Sequence, residues 1–360
     1  MKDLKVLLTD FHYKKEFTPV EKITAGVLYT VLGLPSAVYW AVAKTRNFLY
    51  KKRILKSYKS PLYTISVGNI TTGGTGKTPI TAEIANYLAK KGGFPAILSR
   101  GYGGKLNNKN VNVISDGLTI NHTAIEAGDE PFWLSKHCKN TAVLTCSSRV
   151  KSAKFAKENL NCTALILDDG FQHLKLQRDL NILVVDSEKK FSNGCMLPLG
   201  ALREPLSSIK RADKIVIVNK SFNDKKAKAY ARFLRKKYSI PVFVCSMVPD
   251  EIYNIKTNEK LSDSAAVIAF SAIGQPEQFY KFLRGYDVVG TQDFPDHHIY
   301  TKEDLDTLYK LKEKYVAQAL ITTEKDAVKL KEIAPENTDI YALKLKPVLD
   351  LKGLLESDEQ

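Results

Sequence analysis

Residues 66–78 read SVGNITTGGTGKT, between a short β-branched run at 63–67 and a helical pattern at 80–91. Backbone N–H groups of such a glycine-rich turn can surround phosphate oxygens, and the following helix adds the positive end of its dipole. A lysine and a threonine at the end of the turn suit the β- and γ-phosphates and Mg²⁺, respectively. The segment therefore predicts a P-loop, the strand–loop–helix unit of an open α/β sheet.

The P-loop pattern is a variant one, because Thr71 occupies the first glycine position of GxxxxGK[ST]. The form GGTGKT resembles loops of membrane-targeting and metabolic ATPases, which often carry a lysine where this chain has Thr72. A glycine-rich turn without a ligand is the alternative, but it leaves Lys77 and Thr78 without a role. We expect ATP and Mg²⁺ as cofactors. The predicted nucleotide-binding residues are Thr72, Gly73, Gly74, Thr75, Gly76, Lys77 and Thr78.

A second phosphate-site element is the run ALILDDG at 164–170, an apolar strand that ends in two carboxylates. Ligands of open α/β sheets bind at the carboxyl ends of the strands. A carboxylate there can hold Mg²⁺ directly or through water. Asp168 and Asp169 are therefore candidate metal ligands.

The 360-residue chain alternates β-branched runs with helical stretches, which indicates a parallel sheet covered by helices on both faces. The predicted fold class is α/β: a P-loop NTPase with a doubly wound, mainly parallel sheet, a second, smaller α/β domain and an N-terminal membrane-associating helical segment. The predicted boundaries are 1–60, 61–221 and 222–360. The candidate strands are 63–67, 96–98, 141–145, 164–167, 182–185, 214–218, 242–245, 265–270, 287–289, 319–322 and 339–343, with a lysine-rich helix at 224–238.

The N-terminal segment is basic and apolar. Residues 1–60 contain twelve Lys or Arg against four Asp or Glu, within a chain of net charge +15. Nucleic acid and an anionic membrane both attract such a patch, but the uncharged run at 23–43 favours the membrane. We expect no nucleic-acid partner, and no oligomeric partner is indicated.

Three interpretations of residues 23–43 stay open: a bilayer span, a pair of helices lying in one leaflet, and a signal peptide. Gly33, Pro35 and Ser36 favour a break and hence the helix pair. A signal peptide is disfavoured, because cleavage would export the nucleotide domain from the compartment that holds ATP. Lys and Arg are more numerous after the run, which places that side in the cytoplasm. Five cysteines without CxxC or metal spacing predict reduced, mostly buried thiols.

Eight sequence blocks occur in the order found in tetraacyldisaccharide 4'-kinases, a family that the chain resembles. The resemblance implies an ATP-dependent lipid kinase that phosphorylates the 4'-hydroxyl of tetraacyldisaccharide 1-phosphate, forming lipid IVA in lipid A (lipopolysaccharide) biosynthesis. It also implies a lipid disaccharide substrate and a location on the anionic inner-membrane surface, at the cytoplasmic face of the bacterial inner membrane. The blocks are SVGNITTGGTGKTP (66–79), LSRGYGG (98–104), GDEP (128–131), SRV (148–150), DDGFQH (168–173), LPLGALREP (197–205), FPDHHIY (294–300) and TTEKDAVKL (322–330).

The same resemblance implies roles for particular residues. Asp129 is similar to the family carboxylate that pairs with a histidine to deprotonate the sugar hydroxyl. The expected histidine is His297, and His298 is the weaker candidate. Arg149 resembles the family arginine near the γ-phosphate. The predicted catalytic residues are Asp129, His297, Arg149 and Lys77; the predicted metal ligands are Thr78, Glu130, Asp168 and Asp169; the predicted substrate contacts are Arg100, Tyr102 and His173. Of these, Lys77 and Thr78 follow from the P-loop chemistry, and Arg100 and Tyr102 follow from their place after a strand end.

Residue chemistry alone leaves other interpretations open. Asp129 in Gly-Asp-Glu-Pro also fits a helix N-cap, and His297 fits a surface loop before a helix that begins near Thr301. The alternative function is a membrane-bound P-loop switch or assembly ATPase. The run IVIVNK at 215–220 resembles a guanine-binding NKxD motif, but Phe222 stands at the acidic position.

Overall fold

A computed structural model describes residues 12–13, 19–221, 224–274, 276–295 and 298–356, with side chains from residue 26 onward in the first helix. His297 and Phe222, on which two of the predictions above depend, lie outside the described residues.

The described residues form twelve strands in one sheet and ten α-helices. The strands are β1 Tyr63–Gly68, β2 Pro95–Ser99, β3 Asn112–Asp116, β4 Ala142–Thr145, β5 Ala164–Asp168, β6 Leu180–Asp186, β7 Lys214–Asn219, β8 Val242–Asn254, β9 Ala266–Ser271, β10 Asp287–Asp293, β11 Ala319–Thr323 and β12 Ile340–Val348. The helices are α1 Pro19–Lys51, α2 Lys77–Lys90, α3 Ala124–Ala127, α4 Asp129–His137, α5 Arg149–Glu158, α6 Asp224–Tyr238, α7 Pro276–Lys281, α8 Lys302–Lys314, α9 Glu324–Leu330 and α10 Leu351–Leu355.

The predicted fold class is confirmed. The strand order is β10-β9-β11-β12-β8-β7-β6-β1-β5-β2-β4-β3, and every neighbouring pair is parallel except β3 with β4 and β8 with β12. All eleven candidate strands exist, and among the described residues the one strand that the sequence patterns missed is the edge strand β3. The sheet is continuous across the predicted boundary near residue 221, so that domain boundary stays a prediction.

The central strands are buried on both faces, which requires near-continuous apolar runs. Along β5, Ile166 packs with Ile80 and Ile84 of α2 on one face. Leu165 and Leu167 pack on the opposite face in the cluster that contains Ala153 and Ala156 of α5. Helices α2 and α5 therefore cover opposite faces, as a doubly wound sheet requires.

Strand β8 connects two parts of the sheet that run in opposite directions. Its first residues pair in parallel with β7 as far as Asn219↔Ser246. From Ser246 onward it pairs antiparallel with β12, which in turn is parallel to β11. The carboxyl ends of β1, β5 and β2 consequently point toward those of β9 and β11, and loops from both parts can meet over one cleft.

The first helix contradicts one prediction. Residues Pro19–Lys51 form one continuous helix that includes Pro35, so the break expected at Gly33, Pro35 and Ser36 was wrong. A proline removes one helical hydrogen bond, but Ser36 is buried and donates from Oγ to the Met196 carbonyl at 2.9 Å, which fixes the helix at this point. The helix is long enough to cross a bilayer by length and composition only, with Val31, Leu34 and Val42 exposed.

Candidate active site

The P-loop connects β1 to α2 in the conformation of a phosphate cradle. Gly73 and Gly76 have φ angles of 91° and 83°, which glycine adopts without strain. Gly76 precedes α2, and no side chain caps the first N–H groups of that helix. Uncapped N–H groups together with the helix dipole form an anion-binding site. This geometry matches the strand–loop–helix unit expected from residues 66–78.

Side-chain hydrogen bonds from within the P-loop and from outside it hold the loop in place. Asn69 donates from Nδ2 to Thr75 Oγ1 at 3.0 Å. Lys220 donates from Nζ to the Gly74 carbonyl at 2.9 Å and lies 3.1 Å from a carboxylate oxygen of Asp186. Lys220, which belongs to the NKxD-like run, thus supports the phosphate loop, a role that the sequence did not predict.

Strand β5 places Asp168 directly beside the P-loop. Val67, next to the start of that loop, is the β1 partner of Asp168 in the sheet register. Asp168 is buried, 2% exposed, and accepts a hydrogen bond from Thr81 Oγ1 of α2 at 3.0 Å. Burial and then the negative charge of Glu130 raise the pKa of the Asp168 carboxyl to about 7, against the opposing effect of Lys77.

Asp169 is paired with two cations. Its carboxylate lies 3.6 Å from Lys77 Nζ and accepts two hydrogen bonds from Arg203, each 2.9 Å long. Burial works against ionisation, but the hydrogen bonds from Arg203 and the positive charges of Lys77 and Arg203 outweigh it and hold the pKa of Asp169 well below its usual range. The pKa values of the two neighbouring carboxyls are therefore shifted in opposite directions, upward for Asp168 and downward for Asp169.

Arg203 is a site residue that was not predicted from the sequence. Its position follows from backbone pairing between the LPLGALREP block and the first residues of the P-loop. The Arg203 N–H donates to the Ile70 carbonyl, and the Thr72 N–H donates to the Ala201 carbonyl, both at 2.8 Å. Arg203 also donates to Asn69 Oδ1. Its presence in a family sequence block was the only signal that pointed to it.

Arg149 begins α5 and is buried beside the two acids, with 4% of its surface exposed. Burial lowers its pKa to about 10, and the charges of Asp168 and Asp169 oppose that effect. The guanidinium remains positive at neutral pH. His173 lies nearby, and burial followed by the charge of Arg149 lowers its pKa to about 4, so its imidazole is neutral. Within the described part of the chain, His173 Nε2 is buried without a hydrogen-bond partner.

Asp129 is the first residue of α4, and Gly128 is the N-cap, so the N-cap interpretation of Asp129 was wrong. Gly128 has a φ of 92°, and a Cβ there would approach the Tyr102 carbonyl oxygen to 2.6 Å. This close contact requires glycine and connects the turn after β2 to the start of α4. Glu130, which follows Asp129 in α4, is close enough to raise the pKa of Asp168.

The carboxylate of Asp129 faces the C-terminal part of the sheet. Its Oδ2 lies 3.3 Å from Nζ of Lys329 in α9, and the same Nζ donates to the His298 carbonyl at 3.2 Å. These contacts bring the GDEP, TTEKDAVKL and FPDHHIY blocks together. They are possible because the carboxyl ends of the strands on either side of β8 point toward each other. His297 precedes this contact but lies outside the described residues.

The imidazole of His298 is engaged away from Asp129. Its Nε2 lies 2.8 Å from Asp304 Oδ2, which also accepts from the Thr301 N–H in the capping box of α8. The ring stacks on Phe294 with centroids 5.0 Å apart. These contacts give His298 a local structural role and weaken it as the partner of Asp129.

Arg100 and Tyr102 follow β2 and are exposed, with 83% of Tyr102 accessible. Their assignment as substrate contacts stays a prediction. Four of the five cysteines are buried and all five are free, as expected.

Helix α1 is attached to residues that flank the site. Asn47 donates to the buried carboxylate of Glu204 at 2.9 Å, next to Arg203 in sequence. Arg46 donates to the carbonyl of Gln172 at 2.7 Å, and Gln172 Nε2 donates to the Asn69 carbonyl at the same distance. The exposed apolar helix and the phosphate loop are therefore joined through two short chains of hydrogen bonds.

A P-loop between β1 and α2, with paired acids at the end of the adjacent strand and buried arginine beside them, defines the class of P-loop NTPases and phosphotransferases. Comparison with known proteins narrows the class. The chain matches the family described as tetraacyldisaccharide-1-P 4'-kinase over residues 28–357, and it belongs to that family.

Several relatives are named tetraacyldisaccharide 4'-kinase. The protein of Desulfotalea psychrophila is 36% identical, with 86% of this chain and 90% of the relative covered. The protein of Syntrophus aciditrophicus is 38% identical, with 79% and 80% covered. A crystal structure of the "apo" form of LpxK from Aquifex aeolicus in complex with ATP is 32% identical, with a TM-score of 0.69 over 89% of this chain and 94% of that one.

Proposed function

We propose that this protein is an ATP-dependent lipid kinase that transfers the γ-phosphate to the 4'-hydroxyl of tetraacyldisaccharide 1-phosphate, forming lipid IVA in lipid A biosynthesis. The observation that carries the proposal is the convergence of two parts of the sheet. Glu130 of α4 acts electrostatically on the phosphate-site acid Asp168, while Asp129, one residue earlier, contacts Lys329 and thereby the FPDHHIY loop. A kinase needs such an acceptor-activating group beside its phosphate site.

ATP is the proposed donor. Its phosphates would be held by the backbone N–H groups of residues 72–78 and by Lys77, and the ATP complex of the Aquifex aeolicus relative supports this assignment. The glycine conformations and the uncapped start of α2 suit a chain of phosphates.

The residues beside the P-loop fit Mg²⁺. Burial and then the negative charge of Glu130 raise the pKa of the Asp168 carboxyl, and a cation bound beside it would favour the ionised form. In the part of the chain that the structure describes, no three His, Cys, Asp or Glu side chains form a metal cage; Mg²⁺ normally takes one or two carboxylates together with substrate phosphates. We propose Thr78, Asp168, Asp169 and Glu130 as its direct or water-mediated ligands. Bound there, Mg²⁺ would neutralise charge on the β- and γ-phosphate oxygens.

The remaining roles follow from charge and position. Lys77 and Arg149 would neutralise the negative charge of the transferring phosphoryl group, since both are cations near the two acids. Asp129 would orient His297 as the base for the sugar hydroxyl. Arg100, Tyr102 and His173 remain the proposed substrate contacts.

The proposed partner surface is the anionic inner membrane, at its cytoplasmic face. The exposed apolar residues of α1 support this proposal, and so does the basic segment that follows them. We propose residues 1–60 as the membrane-associating segment, 61–221 as the kinase core and 222–360 as the smaller C-terminal domain.

Transfer of ³²P from γ-labelled ATP to tetraacyldisaccharide 1-phosphate in detergent micelles with Mg²⁺ tests the function. Lys77→Ala should abolish labelling, and Lys90→Ala, an exposed lysine at the other end of the same helix, should retain it. ATP hydrolysis without labelled lipid would instead favour the switch or assembly ATPase or a different acceptor.

A further inference from the structure

Lys329 joins three segments that are distant in sequence. Its ammonium lies 3.3 Å from Asp129 Oδ2 at the start of α4 and donates to the His298 carbonyl at 3.2 Å. Only 13% of the Lys329 side chain is exposed, so the ion pair is poorly screened by water.

We propose that Lys329 is a positioning residue for phosphoryl transfer, which fixes the Asp129 carboxylate relative to the chain segment that carries His297. This inference rests on the proposed lipid-kinase function. A carboxylate on the first turn of α4 can rotate about its side-chain bonds, and a cation on one side of it selects one orientation. The second contact of the same ammonium fixes the backbone one residue after His297.

The helix that carries Lys329 is itself rigidly placed. Thr323 caps the start of α9 by accepting from the Asp326 N–H. Asp326 is fully buried and accepts from the Ala272 N–H at 2.9 Å and from Thr323 Oγ1 at 2.8 Å. Lys329 lies one helical turn beyond Asp326, so its Cα is anchored through the buried carboxylate to the end of β9.

A second contact between α4 and α9 provides a control that distinguishes positioning of Asp129 from attachment of one helix to the other. His137 at the end of α4 lies 3.1 Å from Glu324 Oε1 at the start of α9. Helices α4 and α9 are therefore joined at both ends, and of these two contacts the Lys329 contact is the one that involves Asp129. Loss of the His137–Glu324 contact loosens the helix pair without removing the cation beside Asp129, which makes Glu324→Gln the matched control.

The test measures steady-state ³²P transfer to the lipid acceptor for the full chain and its Lys329→Met, Lys329→Arg, Glu324→Gln and Asp129→Asn variants. Misplacing a reacting group by about 1 Å can cost on the order of 100-fold, so we expect Lys329→Met to lower kcat about 10- to 100-fold. KM should change by less than about threefold, because ground-state binding is untouched. Lys329→Arg should restore part of the rate, and Glu324→Gln should stay within about threefold of wild type.

Combining Lys329→Met with Asp129→Asn shows whether the lysine acts through the carboxylate. If it does, the double variant is no slower than Asp129→Asn alone. Multiplicative losses, an equal loss in Glu324→Gln, or a kcat for Lys329→Met within about twofold of wild type would each overturn the inference. If Lys329→Met fails to fold, Lys329→Gln, which also removes the charge, replaces it in the rate measurement and in the cycle.

Hydrogen exchange of the amides at 298–301 supplies a readout that does not depend on the lipid substrate. Lys329→Met should accelerate exchange there, and Glu324→Gln should not. If the wild type labels no lipid but Lys329→Met exchanges faster, the lipid-kinase proposal is wrong and the contact between Lys329 and the loop still holds. If the wild type labels the lipid and exchange in Lys329→Met is unchanged, only the positioning role of Lys329 is wrong.

Discussion

Replacement of Asp168 by Asn should stabilise the metal-free protein at neutral and alkaline pH while abolishing phosphoryl transfer. Asp168 is almost completely buried, and burial with the nearby Glu130 raises the pKa of its carboxyl from 3.8 to about 7. Asparagine keeps an oxygen that can accept the hydrogen bond from Thr81 but carries no charge. The substitution therefore removes the cost of ionising a buried group.

The sign and size of the effect follow from proton linkage. Because the folded pKa lies above the unfolded one, the folded state binds more protons between pH 3.8 and 7. The stability contributed by Asp168 is therefore complete below pH 3.8 and is lost as the pH rises to 7. From pH 5 to pH 8 the wild-type carboxyl loses on the order of 3 kcal/mol of stability, and the Asn variant does not.

Equilibrium urea unfolding in detergent with EDTA, at pH 5, 6, 7 and 8, measures this difference. The free energy of unfolding of Asp168→Asn minus that of wild type should increase by about 2–3 kcal/mol from pH 5 to pH 8. Asp306→Asn, an exposed carboxylate of α8, should run parallel to wild type. The description of Asp168 as a buried acid with a raised pKa would be refuted if the stability of Asp168→Asn changed with pH as wild type does. It would also be refuted if Asp168→Asn were less stable than wild type at pH 8.

Three further outcomes are expected. Gly68→Ala places a Cβ 2.5 Å from the Phe171 backbone nitrogen, so it should lower the free energy of unfolding by about 1–3 kcal/mol in urea titrations; unchanged stability would contradict that packing. Arg203→Met removes both hydrogen bonds to Asp169, and kcat should fall on the order of 100-fold. Arg203→Lys should not restore the rate, because an ammonium cannot form the paired contacts of a guanidinium; wild-type kcat in Arg203→Met would exclude a role for this pair. Leu34→Glu charges an apolar side chain that is 74% exposed on α1, and partition onto anionic vesicles should weaken at least about 10-fold; unchanged partition would place the membrane contact elsewhere.

Local sequence was sufficient to predict the P-loop and the position of Asp168 beside it. The glycines of the P-loop, the strand before it and the helix after it are neighbours along the chain, and Asp168 ends an unmistakable buried strand. The parallel register then places Asp168 opposite Val67 without any further information. The family resemblance added Arg149 and Asp129, whose chemical roles no local pattern assigns.

Contacts between distant segments were beyond prediction. Arg203 reaches Asp169 because its loop pairs with the first residues of the P-loop, and Lys329 reaches Asp129 because β8 reverses the direction of the sheet. Neither pairing has a signature in the residues concerned. The same limit explains the wrong break in α1, since the carbonyl of Met196 that binds Ser36 lies 160 residues away.

The most direct test of the lipid-kinase proposal compares two acceptors in the ³²P assay: tetraacyldisaccharide 1-phosphate and its 4'-deoxy analogue. With wild-type protein, Mg²⁺ and γ-labelled ATP, label should appear in the first lipid and not in the second, and Lys77→Ala should label neither. Label in both lipids, or in neither despite Lys77-dependent ATP hydrolysis, would contradict transfer to the 4'-hydroxyl.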